Sequence, residues 1–175
     1  MTTTEAEVAA MSFLDYTANI VVPNVTNMMG LVGFEADVLS VTPSGYASCI
    51  ELKISKGDLK NDLQKKHIKY LKGDGMFERY GNVHRTLDWF YGKLKYFYYG
   101  VPKELIEETE RQVPDFCGII NLSTKRVYRS PKKLFNYKWT EKERMELSRL
   151  GTMRISTLKR QLIRKDKEIK KLKTS

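Results

Sequence analysis

Phe34-Glu-Ala-Asp-Val-Leu-Ser-Val41 and Ala47-Ser-Cys-Ile-Glu-Leu-Lys-Ile-Ser55 read as two antiparallel strands, joined by Thr42-Pro-Ser-Gly-Tyr46. Pro43 presets φ for the first corner of a type I turn, and Gly45 supplies the left-handed residue that closes it. With Thr42 paired to Tyr46, the ladder places Asp37 opposite Glu51 and Glu35 opposite Lys53. Directly opposed side chains have Cβ atoms about 5 Å apart. Two carboxylates so close repel unless a cation or a proton lies between them. Both faces of the hairpin are rich in Val, Leu, Ile, Phe and Cys, as expected of central strands covered on both sides. An ionised carboxylate there is costly unless it is paired or coordinates a metal. The plain alternative is a Glu35–Lys53 cross-strand ion pair with Asp37 at a wet strand end. The facing of Asp37 and Glu51 favours a metal site.

An acid, a hairpin and then Glu-x-Lys resembles the pattern of the PD-(D/E)XK nuclease superfamily. In more detail the chain is similar to MmcB-like DNA repair proteins and their phage-borne relatives. The resemblance is carried by Val22-Pro-Asn24, Glu35-Ala-Asp37-Val-Leu, Glu51-Leu-Lys-Ile-Ser-Lys56, Asp58-Leu-Lys-Asn-Asp62 and Lys65-Lys-His67. Tyr96-Phe-Tyr-Tyr-Gly-Val-Pro102 and Val113-Pro-Asp-Phe-Cys-Gly-Ile-Ile120 continue it, so that it spans residues 20–135 or so. Ala36 stands where the superfamily's name has Pro.

This resemblance implies an α/β fold, a restriction-endonuclease-like mixed sheet flanked by helices. It also implies hydrolysis of DNA phosphodiester bonds with Mg²⁺ or Mn²⁺, in repair, recombination or phage DNA processing. Asp37 and Glu51 would hold the cation, with the Leu52 backbone carbonyl as a third oxygen ligand; oxygen donors suit such hard cations. Lys53 would orient or deprotonate the attacking water and offset charge on the transition state, and a neighbouring metal would depress its pKa. Glu35, Ser55, Asp58 and Asp62 would support these residues from behind. Related nucleases often carry a further acid on the first helix, for which Glu5, Glu7 and Asp15 all qualify here. Two other functions stay open: a nuclease fold that binds DNA without cutting it, and an adaptor that recruits a protein partner through its C-terminal helix.

The chain has 175 residues, 41% hydrophobic and 30% charged, which suits one domain with a real core plus an appendage. The division falls between residues 1–139, the nuclease-like domain, and 140–175, a basic helix. No apolar run reaches the roughly 20 residues of a membrane span. The start, Met1-Thr-Thr-Thr-Glu5, lacks the basic region of a signal peptide. Cys49 and Cys117 fall in expected strands without metal-finger spacing and read as buried free thiols. These features together point to a cytoplasmic protein that does not meet a membrane.

The formal net charge is +10. Residues 1–139 hold 19 Lys/Arg against 16 Asp/Glu, and residues 140–175 hold 12 against 5, a local net of +7. Such a tail attracts phosphate backbones or acidic proteins and is screened by salt; a solvated helix face explains it almost as well. Arg154, Lys159, Arg160 and Arg164 are its DNA-binding candidates. In the body, Lys56, Lys60, Lys65, Lys66 and Lys69 follow the Glu-x-Lys strand and are placed to grip a phosphate.

Along the chain, residues 5–20 read as a helix with Val8, Ala9, Phe13 and Tyr16 inward, followed by connecting structure from Asn19 to Gly33, broken by Pro23. A second helix is expected over 58–71, with Leu59, Leu63, His67, Tyr70 and Leu71 on one side and Asp58, Asp62, Lys65 and Lys69 on the other. His67 on the apolar side reads as a core histidine. Residues 73–92 gather Met76, Phe77, Tyr80, Trp89, Phe90 and Tyr91 around Arg79, His84 and Arg85, a mixture that suits base stacking but more often packs. A strand over 94–100, a short acidic helix over 103–111, a buried strand over 117–122 and its return over 126–129 follow. The final helix begins with a capping box, Thr140 with Glu143, and bends or breaks at Gly151. Beyond that, Ile155, Leu158, Leu162, Ile169 and Leu172 follow heptad spacing with Lys165 at one core position. That is about two and a half heptads, short for a coiled coil, and leaves a homodimer, packing on the body, or folding on DNA as its uses.

Overall fold

The hairpin register read from the sequence holds. A computed structural model describes residues 1–26, 31–62 and 92–174. In it β2 (Ala36–Val41) pairs antiparallel with β3 (Ala47–Leu52) through Val41–Ala47, Ser40–Ser48, Leu39–Cys49 and Val38–Ile50. Gly45 takes φ +87°, and its carbonyl accepts a 2.8 Å bond from the Trp139 backbone N–H. A side chain there would be strained by the left-handed backbone and would press on the Trp139 carbonyl, so glycine is required twice over.

Around this hairpin a six-stranded sheet runs in the spatial order of the sequence. β1 (Ile20–Val25) pairs antiparallel with β2, β3 runs parallel to β4 (Leu94–Val101), and β4 runs parallel to β5 (Gly118–Asn121). β6 (Arg126–Arg129) returns antiparallel on the far edge. Parallel neighbours need crossovers: α2 (Lys56–Asp62) starts the one between β3 and β4, and a 3₁₀ turn (Lys103–Leu105) with α3 (Ile106–Gln112) makes the next. This is a mixed α/β sheet flanked by helices, as the sequence indicates.

Side-chain alternation in β2 and β3 splits the core in two. Val38, Ile50 and Leu52 face α1 (Thr3–Phe13), where Ala6, Ala9 and Ala10 pack against them, Ile120 and Leu122. Leu39, Val41, Ala47 and Cys49 face the other way, onto Leu59 of α2, Ile106 of α3, and Leu147 and Leu150 of α4 (Glu141–Thr174). Asp37, Glu51 and Lys53 share that second parity, so the charged groups sit at the rim of the second core.

Four expectations need correction. Residues 20–25 are a strand, not connecting structure: Pro23 pairs with Val38 at the sheet edge, where a missing N–H costs no ladder bond. The first helix ends at Phe13, and Val8 and Tyr16 are exposed, because the alanines form its buried face. The last helix is continuous through Gly151, which lies against β1. Cys117 precedes β5 instead of lying within it, although both cysteines are buried free thiols. Trp139, Leu147 and Leu150 belong to the main core, so the start of α4 is part of the body.

Candidate active site

The backbone ladder of the hairpin gives way at Asp37 to a side chain. Asp37 Oδ2 accepts the Leu52 N–H at 2.7 Å, which fixes this carboxylate at the end of β3. Lys53 leaves β3 with its own N–H bonded to the Gly100 carbonyl at 3.0 Å, so β4 sets where its side chain starts. Its Nζ donates to Glu51 Oε1 at 2.8 Å and lies 3.2 Å from Asp62 Oδ1 and 3.9 Å from Asp37 Oδ2. Tyr99 of β4 donates its hydroxyl to Asp62 Oδ2 at 2.9 Å. Four elements or their ends, β2, β3, α2 and β4, thus converge on one polar cluster.

Burial divides the acids. The Glu51 and Asp62 side chains are each 1% exposed, whereas that of Asp37 is 38% exposed. Asp37, Leu52, Lys53, Ile54 and Asp58 line a pocket of about 240 Å³ together with Thr3, Glu7 and Asn24. Solvent therefore reaches the cluster through Asp37, with Glu51 and Asp62 holding the buried Lys53 ammonium from behind. Burial alone would pull the Lys53 pKa down, but the charges of Glu51, Asp62 and Asp37 outweigh it and hold the pKa above the ordinary lysine value. With protein groups alone, Lys53 is a fixed ammonium at neutral pH. Cys49 lies under the same cluster; burial foremost, and then Glu51 and Asp37, push its thiol far up, so it is no nucleophile.

Of the first-helix acids, Glu7 is the one that lines the pocket, and its Oε1 accepts the Asn24 amide at 3.0 Å. Glu5 instead closes a capping box with Thr2, and Asp15 is bonded to Thr17. Asn24 itself was given no role by the sequence reading. The signal was there: Asn after Pro23 tolerates a left-handed φ, here 53° one residue before the end of β1, and its amide reaches Glu7 on α1.

Among the supporting residues, Ser55 starts α2 by accepting the Asp58 N–H at 3.1 Å, while Asp58 Oδ2 accepts the Ile54 N–H at 3.4 Å. These bonds set the angle at which α2 leaves the site. Asp62 departs from the solvent-facing position expected of it and is in the core. Glu35 is exposed, and the expected Glu35–Lys53 pair gives way to Lys53 pairs with Glu51, Asp62 and Asp37. Lys56 and Lys60 are exposed on α2. Lys65, Lys66, Lys69, His67 and the aromatic segment 73–91 lie outside the described residues. On α4, Lys159, Arg160 and Arg164 are exposed, whereas Arg154 donates to the Asn24 carbonyl and so ties the helix to the end of β1.

A hard divalent cation fits this donor set on two counts. Three residues lining the pocket, Glu7, Asp37 and Asp58, carry carboxylates, donors that suit such a cation, and Asp37 presents its carboxylate to solvent from a backbone-anchored position. Among the described residues no group of three or more His, Cys, Asp or Glu is placed to hold a metal ion.

No family model and no curated protein matches the chain. A solved structure, the SPO1766 protein of unknown function from Silicibacter pomeroyi, is similar with a TM-score of 0.53 at 17% identity. The similarity covers 88% of this chain and 86% of that one, and at such identity it concerns the fold alone. Among the described residues no helix is long and apolar enough to cross a membrane.

Proposed function

We propose that this chain is a Mg²⁺- or Mn²⁺-dependent deoxyribonuclease whose reaction takes place at the pocket lined by Asp37, Leu52 and Lys53. One observation carries the reading: a solvent-facing carboxylate and a buried ammonium, 3.9 Å apart, open onto one concavity at the end of two strands. Asp37 and Glu51 would hold the cation, with the Leu52 carbonyl beside them. The bound cation would polarise the phosphate and lower the pKa of its water. Lys53, kept protonated by Glu51 and Asp62, orients the attacking water through an N–H and offsets charge gathering on the phosphate oxygens. Glu7 and Asn24 also line the pocket, and Lys56 and Lys60 are exposed on the neighbouring helix, where they would meet a DNA backbone.

A second reading has its own observation. Lys53 already joins Glu51 and Asp62, which gives all three a structural use without any metal. The fold would then bind DNA without cutting it. Incubation with linear, nicked, flapped and four-way DNAs plus Mg²⁺ or Mn²⁺ separates the two. Cleavage by the wild type and its loss in Asp37→Asn, with DNA affinity equal or higher, supports the nuclease. Asp37→Asn is the informative variant because Oδ1 of the new amide can still accept the Leu52 N–H. Absence of Mg²⁺ and Mn²⁺ binding by calorimetry, with and without DNA, rules the nuclease out. Salt-dependent DNA affinity would then leave the DNA binder, and no DNA affinity the adaptor.

A further inference from the structure

Helix α4 changes its surroundings at Arg154. Before that point Leu147 and Leu150 are buried against the body. Gly151 lies so near β1 that an added Cβ would sit 3.2 Å from Val22 Cγ2. Past it, Ile155, Leu158, Leu162, Ile169 and Leu172 are between 49% and 79% exposed. At about 100° per residue, these five fall in the same arc as Leu147, Leu150, Gly151 and Arg154. One apolar stripe therefore packs on the body in its first part and runs on past the body in its second. Its spacing is that of a heptad seam, with Lys165 at the position between Leu162 and Ile169. Met153 and Ile163 lie off it.

The charges are sorted around the same helix. Arg160, Arg164, Lys167, Lys170 and Lys171 lie on the side opposite the seam, which is where most of the basic excess resides. Lys159 and Asp166 flank the seam on one side, Gln161 and Glu168 on the other, so its borders are close to neutral. A uniformly basic helix would repel its own copy. This one keeps its cations on the back and offers a copy an apolar face with mixed-sign edges.

We propose that the exposed stripe pairs with the same stripe of a second copy of this chain, antiparallel, as a short two-stranded coil. The body decides the direction. It packs on the side of α4 that carries the seam, so parallel helices would drive two bodies into the space between them. Parallel pairing would also set Lys165 against the partner's Lys165. In the antiparallel arrangement each body lies beyond the tip of the other helix. Ile155 is then level with the partner's Leu172, Leu158 with the partner's Ile169, and Leu162 with the partner's Lys165. The Lys165 stem covers Leu162 while its ammonium reaches outward. Lys159 comes beside the partner's Asp166, and the reverse pair forms by symmetry. The seam is about 26 Å long at 1.5 Å per residue. The basic backs of both helices stay exposed, so the dimer is compatible with phosphate binding and does not depend on the nuclease reading.

Sedimentation velocity of the full chain over a concentration series tests the pairing. The wild type should rise from one chain mass toward two, whereas Leu158→Asp/Leu162→Asp should stay at one. In dilute solution, where both are single chains, they should give the same circular-dichroism melting of the body, since these side chains are exposed in a single copy. For direction, Ile155→Cys and Leu172→Cys proteins mixed under mild oxidation should give a reducible dimer. Ile155→Cys alone should give several-fold less. A wild type that stays at one chain mass at the highest concentration overturns the proposal, whether or not an acidic protein or DNA then binds the helix. Cross-linking of Ile155→Cys alone as efficient as that of the mixture overturns the antiparallel direction.

Discussion

Lys53 and the cations of α4 beyond Arg154 are the same chemistry under opposite rules. Lys53 is buried and held by carboxylates from β2, β3 and α2, with Tyr99 of β4 bonded to one of them. The α4 cations stand on one exposed helix, where contacts are local, as in the 3.2 Å bond from Arg160 to Ser156 one turn back. In the first region charge is a product of tertiary packing, and removing one member leaves the others desolvated. In the second, charge is local, water already solvates it, and substitution touches little but the long-range field. A high density of Lys and Arg thus marks the region where each one matters least to the fold.

The sharpest way to break that contrast is Lys53→Met. It leaves Glu51 and Asp62 buried without their ammonium, a loss of about 3–5 kcal/mol, whereas Arg164→Ala should stay within about 0.5 kcal/mol. Urea unfolding of both variants measures the difference; equal midpoints would mean that the buried cluster is not held together by Lys53. Next in size is a pair on a single helix face. Leu147→Ala should cost about 2–5 kcal/mol, while Leu158→Ala, one helix stripe further on, should shift the unfolding of dilute protein by less than about 0.5 kcal/mol. Tyr99→Phe comes third: it removes the O–H that Asp62 accepts, for about 1.5–3 kcal/mol, without disturbing the packing of the ring.

The same contrast explains what was legible in the sequence. The hairpin and its register were, because Pro43, Gly45 and the alternation of β2 and β3 are local signals. The Asp37–Glu51–Lys53 constellation followed from that register. The heptad seam and the Thr140–Glu143 box were legible for the same reason. Asp62 was not: on its own helix it continues a polar side, and only Lys53 and Tyr99, brought in by β3 and β4, make its burial affordable. β1 was hidden by Pro23, whose presence argues against a central strand but not against an edge. In α1, attention to the large residues Val8 and Tyr16 missed a buried face made of Ala6, Ala9 and Ala10, where small side chains let the helix approach the sheet.

The smallest expected effect sits where the two regions meet, at the start of α4. Glu143 accepts the Thr140 N–H at 2.8 Å, pairs with Lys93 at 2.7 Å and takes the Tyr137 hydroxyl, so one half-buried carboxylate caps the helix and ties it to the entry of β4. Burial would raise its pKa, but the bonds from Lys93, Thr140 and Tyr137 prevail and hold it at about 2 against an ordinary 4.5. A group whose folded pKa is depressed stabilises the fold fully above its unfolded pKa, and that contribution fades as pH falls through the folded one. The stability from Glu143 should therefore be intact above pH 4.5 and disappear on the way down to about pH 2. Solvent screening limits it to about 1 kcal/mol. Glu143→Gln should lower the neutral-pH unfolding free energy by that amount and flatten the acid limb over the same interval. A wild-type and variant pair with parallel acid limbs would show that the capping carboxylate is not linked to folding, and that α4 is held to the body by its other contacts, Leu147, Leu150 and the Arg154 bond to Asn24 among them.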